Sequence, residues 1–62
     1  MEWKREKSYT GEDNYILYDG ITKFTIAPIG YKTFWLHQNI SYVGIFTTLK
    51  KAQKVVELII KG

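Results

Sequence analysis

Between Tyr42 and Gly62 the apolar pattern of this chain changes period, from alternating in Tyr42-Val43-Gly44-Ile45-Phe46 to helical from Leu49 onward. Strand and helix are therefore joined with almost no linker, and Thr47-Thr48 marks the joint. A hydroxyl there accepts a bond from the first unpaired helix N–H groups, which makes the helix start well defined. At about 100° per residue, Leu49, Ala52, Val55, Val56, Ile59 and Ile60 fall within an arc of roughly 140°. Such a stripe must be buried against something, and only an antiparallel sheet upstream offers a matching surface. The expected fold is α+β: a small antiparallel β-meander of three to four strands with one C-terminal α-helix, residues 48–61, on one face.

The strands follow from turn chemistry. Asn14–Tyr18 and Ile21–Ala27 flank Asp19-Gly20, a dipeptide suited to a type I′ hairpin turn. Pro28-Ile29-Gly30 ends the second strand, because proline supplies no ladder donor. Thr33–His37 and Ile40–Phe46 flank a turn at Gln38-Asn39, so the meander spans 14–46. Residues 1–13 read as a polar N-terminal arm or edge strand, and 1–62 as a single domain. A domain this small buries only about 60% of its unfolded surface. Two Trp, five Tyr and three Phe must supply much of the core, since no cysteine is present to form a disulfide or a thiolate metal site.

With turns centred there, Leu17 faces Thr22, Trp35 faces Tyr42 and Phe34 faces Val43. Alternation then places Tyr15, Leu17, Phe24, Ile26, Phe34, Leu36, Val43 and Ile45 on the helix-covered face. Within that core, Val56 and Ile59 are expected to pack on Phe24 and Phe34. The opposite face carries Ile16, Tyr18, Ile21, Lys23, Thr25, Thr33, Trp35, His37, Ile40 and Tyr42. Outer faces of open antiparallel sheets are ordinarily polar. This one is aromatic and aliphatic, which marks an interaction surface if it is open. The competing arrangement folds the arm around Trp3 and Tyr9 across it as a second core layer.

Catalytic chemistry is poorly represented. His37 is the only histidine, so neither a two-histidine metal site nor a cysteine–histidine pair can be assembled. Glu12-Asp13 lies in a turn-rich stretch, and the five glycines are too dispersed for a phosphate loop. The expectation is a non-enzyme with no cofactor, no metal and no catalytic residue. No apolar run approaches the roughly 18 residues of a membrane span, and residues 1–7 have no signal-like apolar core, so a cytoplasmic protein is expected.

Charge is uneven. Residues 1–31 hold four basic and five acidic side chains, whereas 32–62 hold five basic and one acidic. Lys50 and Lys51 occupy the first helical turn, where the macrodipole disfavours cations. Either they meet an anion there, together with Lys54, or salt screens them as ordinary surface lysines.

The run from Tyr42 to Ala52, with Gly44, Phe46, Thr48 and Ala52 at their spacing, resembles the strand–helix junction of the plant ethylene-response-factor DNA-binding domain and of phage integrase arm-binding domains. That resemblance implies a sheet lying in the DNA major groove, with Tyr42, Trp35 and His37 facing the groove. Family members usually line this face with arginines, whereas here it offers Lys23 and His37. The aromatic-rich, cysteine-free composition is also similar to that of small phage and mobile-element proteins, among them inhibitors of host systems such as anti-CRISPR and anti-restriction proteins. If phage-encoded, the chain would act in the host cytoplasm. The sequence therefore reads as a macromolecule-binding module. A protein partner is met by Trp35, Tyr42, His37, Lys23 and Tyr18. The alternative is DNA, met by the same face together with Lys50, Lys51 and Lys54. Self-association into a homo-oligomer is compatible with either.

Overall fold

A computed structural model describes residues 2–8 and 11–62. Five strands and one helix follow in the order β1 (Lys4–Lys7), β2 (Asp13–Asp19), β3 (Thr22–Gly30), β4 (Thr33–Gln38), β5 (Ser41–Phe46) and α1 (Leu49–Lys61). Each strand pairs antiparallel with the next, giving the sheet order β1-β2-β3-β4-β5. The fold is thus an α+β meander with a C-terminal helix, with one strand more than expected. The added strand is the N-terminal arm, which pairs along β2 with Lys4 opposite Ile16 and Lys7 opposite Asp13. It extends the sheet sideways and does not cover the outer face as a layer. Trp3 packs against the helix-side core; Tyr9 lies outside the described residues.

The hairpin turns sit one residue later than the dipeptides suggest. Asp19 pairs with Thr22, so Gly20 and Ile21 are the central residues, and Gly20 takes φ +61° at the first of them. That is the position at which a hairpin with glycine first needs positive φ. Likewise Gln38 pairs with Ser41, and Asn39 (φ +56°) and Ile40 form the turn. Moving a turn by one residue slides the partner strand by two, which preserves the faces. Leu17 therefore opposes Phe24 instead of Thr22, and Tyr15 opposes Ile26, all still on the inner side. Ile21 and Ile40 leave the sheet face and become exposed turn residues.

In β5 the expected faces fail. His37 pairs with Tyr42 but Leu36 pairs with Gly44, so Val43 is an extra residue, a bulge. The bulge exchanges inner and outer positions beyond it. Gly44 and Phe46 turn inward, opposite Leu36 and Phe34, while Ile45 turns outward opposite Trp35. Val43 and Ile45, expected in the core, are exposed.

The core comprises Leu17, Phe24, Ile26, Leu36, Ala52 and Val56, with Trp3, Tyr15, Phe34, Phe46, Leu49, Val55 and Ile60 packed around it. The helix lies over β3, β4 and β5. Its N-cap is Thr48, whose Oγ1 accepts from the Lys51 backbone N–H at 3.1 Å. At the other end the Gly62 N–H donates to the Leu58 carbonyl at 3.0 Å. Ile59 is not a core residue: it is 39% exposed, whereas Val56 is fully buried. Among the described residues, no helix is long and apolar enough to cross a membrane.

Candidate functional site

The outer face is organised in lateral rows fixed by strand register. One row crosses all five strands: Lys4, Ile16, Thr25, His37 and Tyr42. On one side of it lies the cross-strand pair Tyr18–Lys23. On the other lies the row Ala27, Trp35 and Ile45. Every candidate partner-binding residue read from the sequence thus falls on a single face.

Within it, Trp35, His37 and Tyr42 form a continuous aromatic group. The Trp35 and His37 rings meet edge-on with centroids 5.9 Å apart, and His37 meets Tyr42 in the same manner at 5.8 Å. Edge-to-face contacts at this range are the favoured geometry for rings with opposed face and edge charge. The expected direct pairing of Trp35 with Tyr42 does not occur. The later turn puts His37 opposite Tyr42, and the Val43 bulge puts Ile45 opposite Trp35, so the imidazole sits between the two larger rings. Trp35 is 40% exposed and Tyr42 58%, while His37 is half-buried by its two neighbours.

The other half of the face is held from the chain ends of two hairpins. The Lys23 backbone N–H donates to Asn39 Oδ1 at 3.0 Å, and the Asn39 N–H donates to the Lys23 carbonyl at 2.7 Å. These bonds tie the β4–β5 turn to the start of β3 and fix Lys23 relative to His37. Tyr18 beside it is exposed. Ile16, expected as an open apolar residue, is only 3% exposed, though it stands apart from the helix-side core. Lys4 and Thr25 flank it in its row, and long lysine stems cover apolar surface while keeping the charge in water. Ile16 thus serves as a buried floor beneath Lys4 and Tyr18, and the exposed surface is shifted toward β4 and β5.

Ile45 is the outer-face residue that alternation from the turn missed. It is 52% exposed and adjoins Trp35. A glycine following a valine inside a strand pattern is the signal that points to such a bulge.

The lysines of the alternative site lie elsewhere. Lys50, Lys51 and Lys54 line an open depression on the helix together with Gln53 and Glu57. The helix packs on the inner side of the sheet, so this surface and the aromatic face occupy opposite layers. The helix start holds no acidic residue, and Lys51 Nζ reaches Thr47 Oγ1 at 3.4 Å.

At the junction, Gly44 presents open backbone beneath the Phe46 ring, Thr48 caps the helix and Ala52 is fully buried. Comparison with known proteins finds no matching family model, no matching curated relative and no matching solved structure.

Proposed function

We propose that this chain is a non-catalytic binding module that engages a protein partner through the outer face of its sheet, with Trp35, His37 and Tyr42 at the centre and Lys23 and Tyr18 at the margin. The observation that supports this reading is the edge-to-face group at 5.9 and 5.8 Å, left open on the side away from the helix. Its rings hold one another in place before any partner arrives, so binding loses less side-chain freedom. Exposed aromatic residues with a tryptophan at the centre and a cation at the rim have the composition of an interface hot spot. The face holds two cations, Lys4 and Lys23, few for a surface whose affinity would come from phosphate contacts.

Affinity capture from a nuclease-treated lysate, comparing wild type with Trp35→Ala, tests the proposal. The variant should keep its far-ultraviolet circular dichroism and lose partner capture by about thirtyfold, on the order of 2 kcal/mol of binding. Equal capture by both proteins removes the aromatic face as the binding surface. Capture that disappears with nuclease treatment alone favours the nucleic-acid reading.

A further inference from the structure

The two edges of the sheet differ in kind. β1 at one edge reads Lys-Arg-Glu-Lys, four exposed charged side chains that guard it against strand pairing. β5 at the other edge reads Ser-Tyr-Val-Gly-Ile-Phe, six residues without a charge or a proline. The helix sits on its inner side, and no described element pairs along its free edge. Tyr42, Val43 and Ile45 are exposed along it. A strand edge of this kind is a template for another strand.

We infer that the free edge of β5 joins two copies of this chain, antiparallel about a two-fold axis perpendicular to the sheet, into one continuous sheet. The bulge argues for a second copy as the occupant. An extra residue at Val43 breaks the even spacing of the free N–H and C=O groups, so a regular foreign strand fits poorly. A second copy carries the same extra residue and meets it at the axis. Centred between Val43 and Gly44, the register sets Tyr42 of one copy against Ile45 of the other and Ser41 against Phe46. The bulge has turned Tyr42 and Ile45 to the same outer face, so each pair keeps to one face and both helices remain on one side. The uncharged edge also lets identical strands meet without the like-charge opposition that Lys4 and Lys7 would bring at β1. Six paired residues span about 20 Å. Strand pairing alone is small against the roughly 1,200 Å² of a stable interface, so the association is weak and concentration-dependent. The dimer would merge the two aromatic faces, with Ile45 and Tyr42 at the seam.

Sedimentation of the wild-type chain from about 10 µM to about 1 mM should show the mass rising from monomer toward dimer. Amide exchange over the same range should gain protection at Ser41–Phe46 and not at Lys4–Lys7. Val43→Lys, a charge placed on the exposed bulge, should keep the wild-type circular dichroism and shift the midpoint of association at least tenfold upward. A monomer throughout the range overturns the inference. So does a dimer whose protection appears at β1, or β5 protection that appears only when a different protein is added. Should Val43→Lys fail to fold, the exchange pattern of the wild type decides alone. Trp35 lies on β4, one strand inside the free edge, so loss of dimer in Val43→Lys and loss of partner capture in Trp35→Ala are separable failures.

Discussion

At Gly20 the backbone requires glycine, whereas at Gly44 it does not. Gly20 holds φ +61° at the first central position of a hairpin turn, where a Cβ would be strained. Gly44 has no such φ, and a Cβ built there would meet the Phe46 ring at 3.4 Å, an ordinary contact distance. Gly20→Ala should therefore cost about 1–2 kcal/mol, whereas Gly44→Ala should be neutral or stabilise by up to about 1 kcal/mol through a less flexible unfolded chain. Thermal melts of the two variants check the contrast, and a Gly44→Ala melt well below that of Gly20→Ala would mean that Phe46 cannot give way. Thr48 is a third case: its hydroxyl accepts the Lys51 N–H, and Thr48→Ala should lose about 1 kcal/mol.

Among the elements, the helix was legible because period and caps agree, whereas β3 runs on through Pro28, paired with Phe34, to Gly30, past the proline expected to end it. Thr48, the stripe through Ala52 and Val56, and Gly62 all point to one helix, and the helix spans Leu49–Lys61. Face assignment in β2 to β4 survived a turn misplaced by one residue, since the slip is two residues on the partner. It did not survive the bulge in β5. Alternation carries no record of an extra residue, and Val43-Gly44-Ile45 satisfies either face until the register with Leu36 is known. The arm was ambiguous for a related reason. Lys4–Lys7 has no apolar alternation, and its strand state comes from the open edge of β2. Ile59 shows the limit of the helical wheel, which gives angle but not which flank of the last turn overhangs the sheet: Ile60, one residue further on, still packs against the core. Val56→Ala should cost about 1–3 kcal/mol and Ile59→Ala under about 1 kcal/mol. Chemical denaturation of both variants tests this ranking, and equal losses would place Ile59 in the core after all.

For the molecule as a whole, the consequential fact is that its two candidate surfaces lie on opposite layers. The aromatic face carries Lys4 and Lys23, whereas the helix carries Lys50, Lys51, Lys54 and Lys61. A partner seated on Trp35, His37 and Tyr42 should therefore be indifferent to the helix lysines. Lys50→Gln combined with Lys51→Gln and Lys54→Gln should leave protein capture within about twofold of wild type, because charges a layer away are screened by salt. Nucleic acid gives the opposite pattern. Log affinity falls with log salt by about 0.9 for each phosphate neutralised on duplex DNA. Binding through the sheet face would neutralise at most Lys4 and Lys23, a slope near −2, while binding through the helix would approach −3 to −4. A mobility-shift series between low and moderate salt reads that slope directly, and the triple variant identifies its source. A steep slope abolished by the triple variant would assign nucleic-acid binding to the helix and leave the aromatic face to a second partner. No shift at the lowest salt would remove nucleic acid altogether and leave the Trp35 group as the surface for a different macromolecule, beside the β5 edge that meets a second copy.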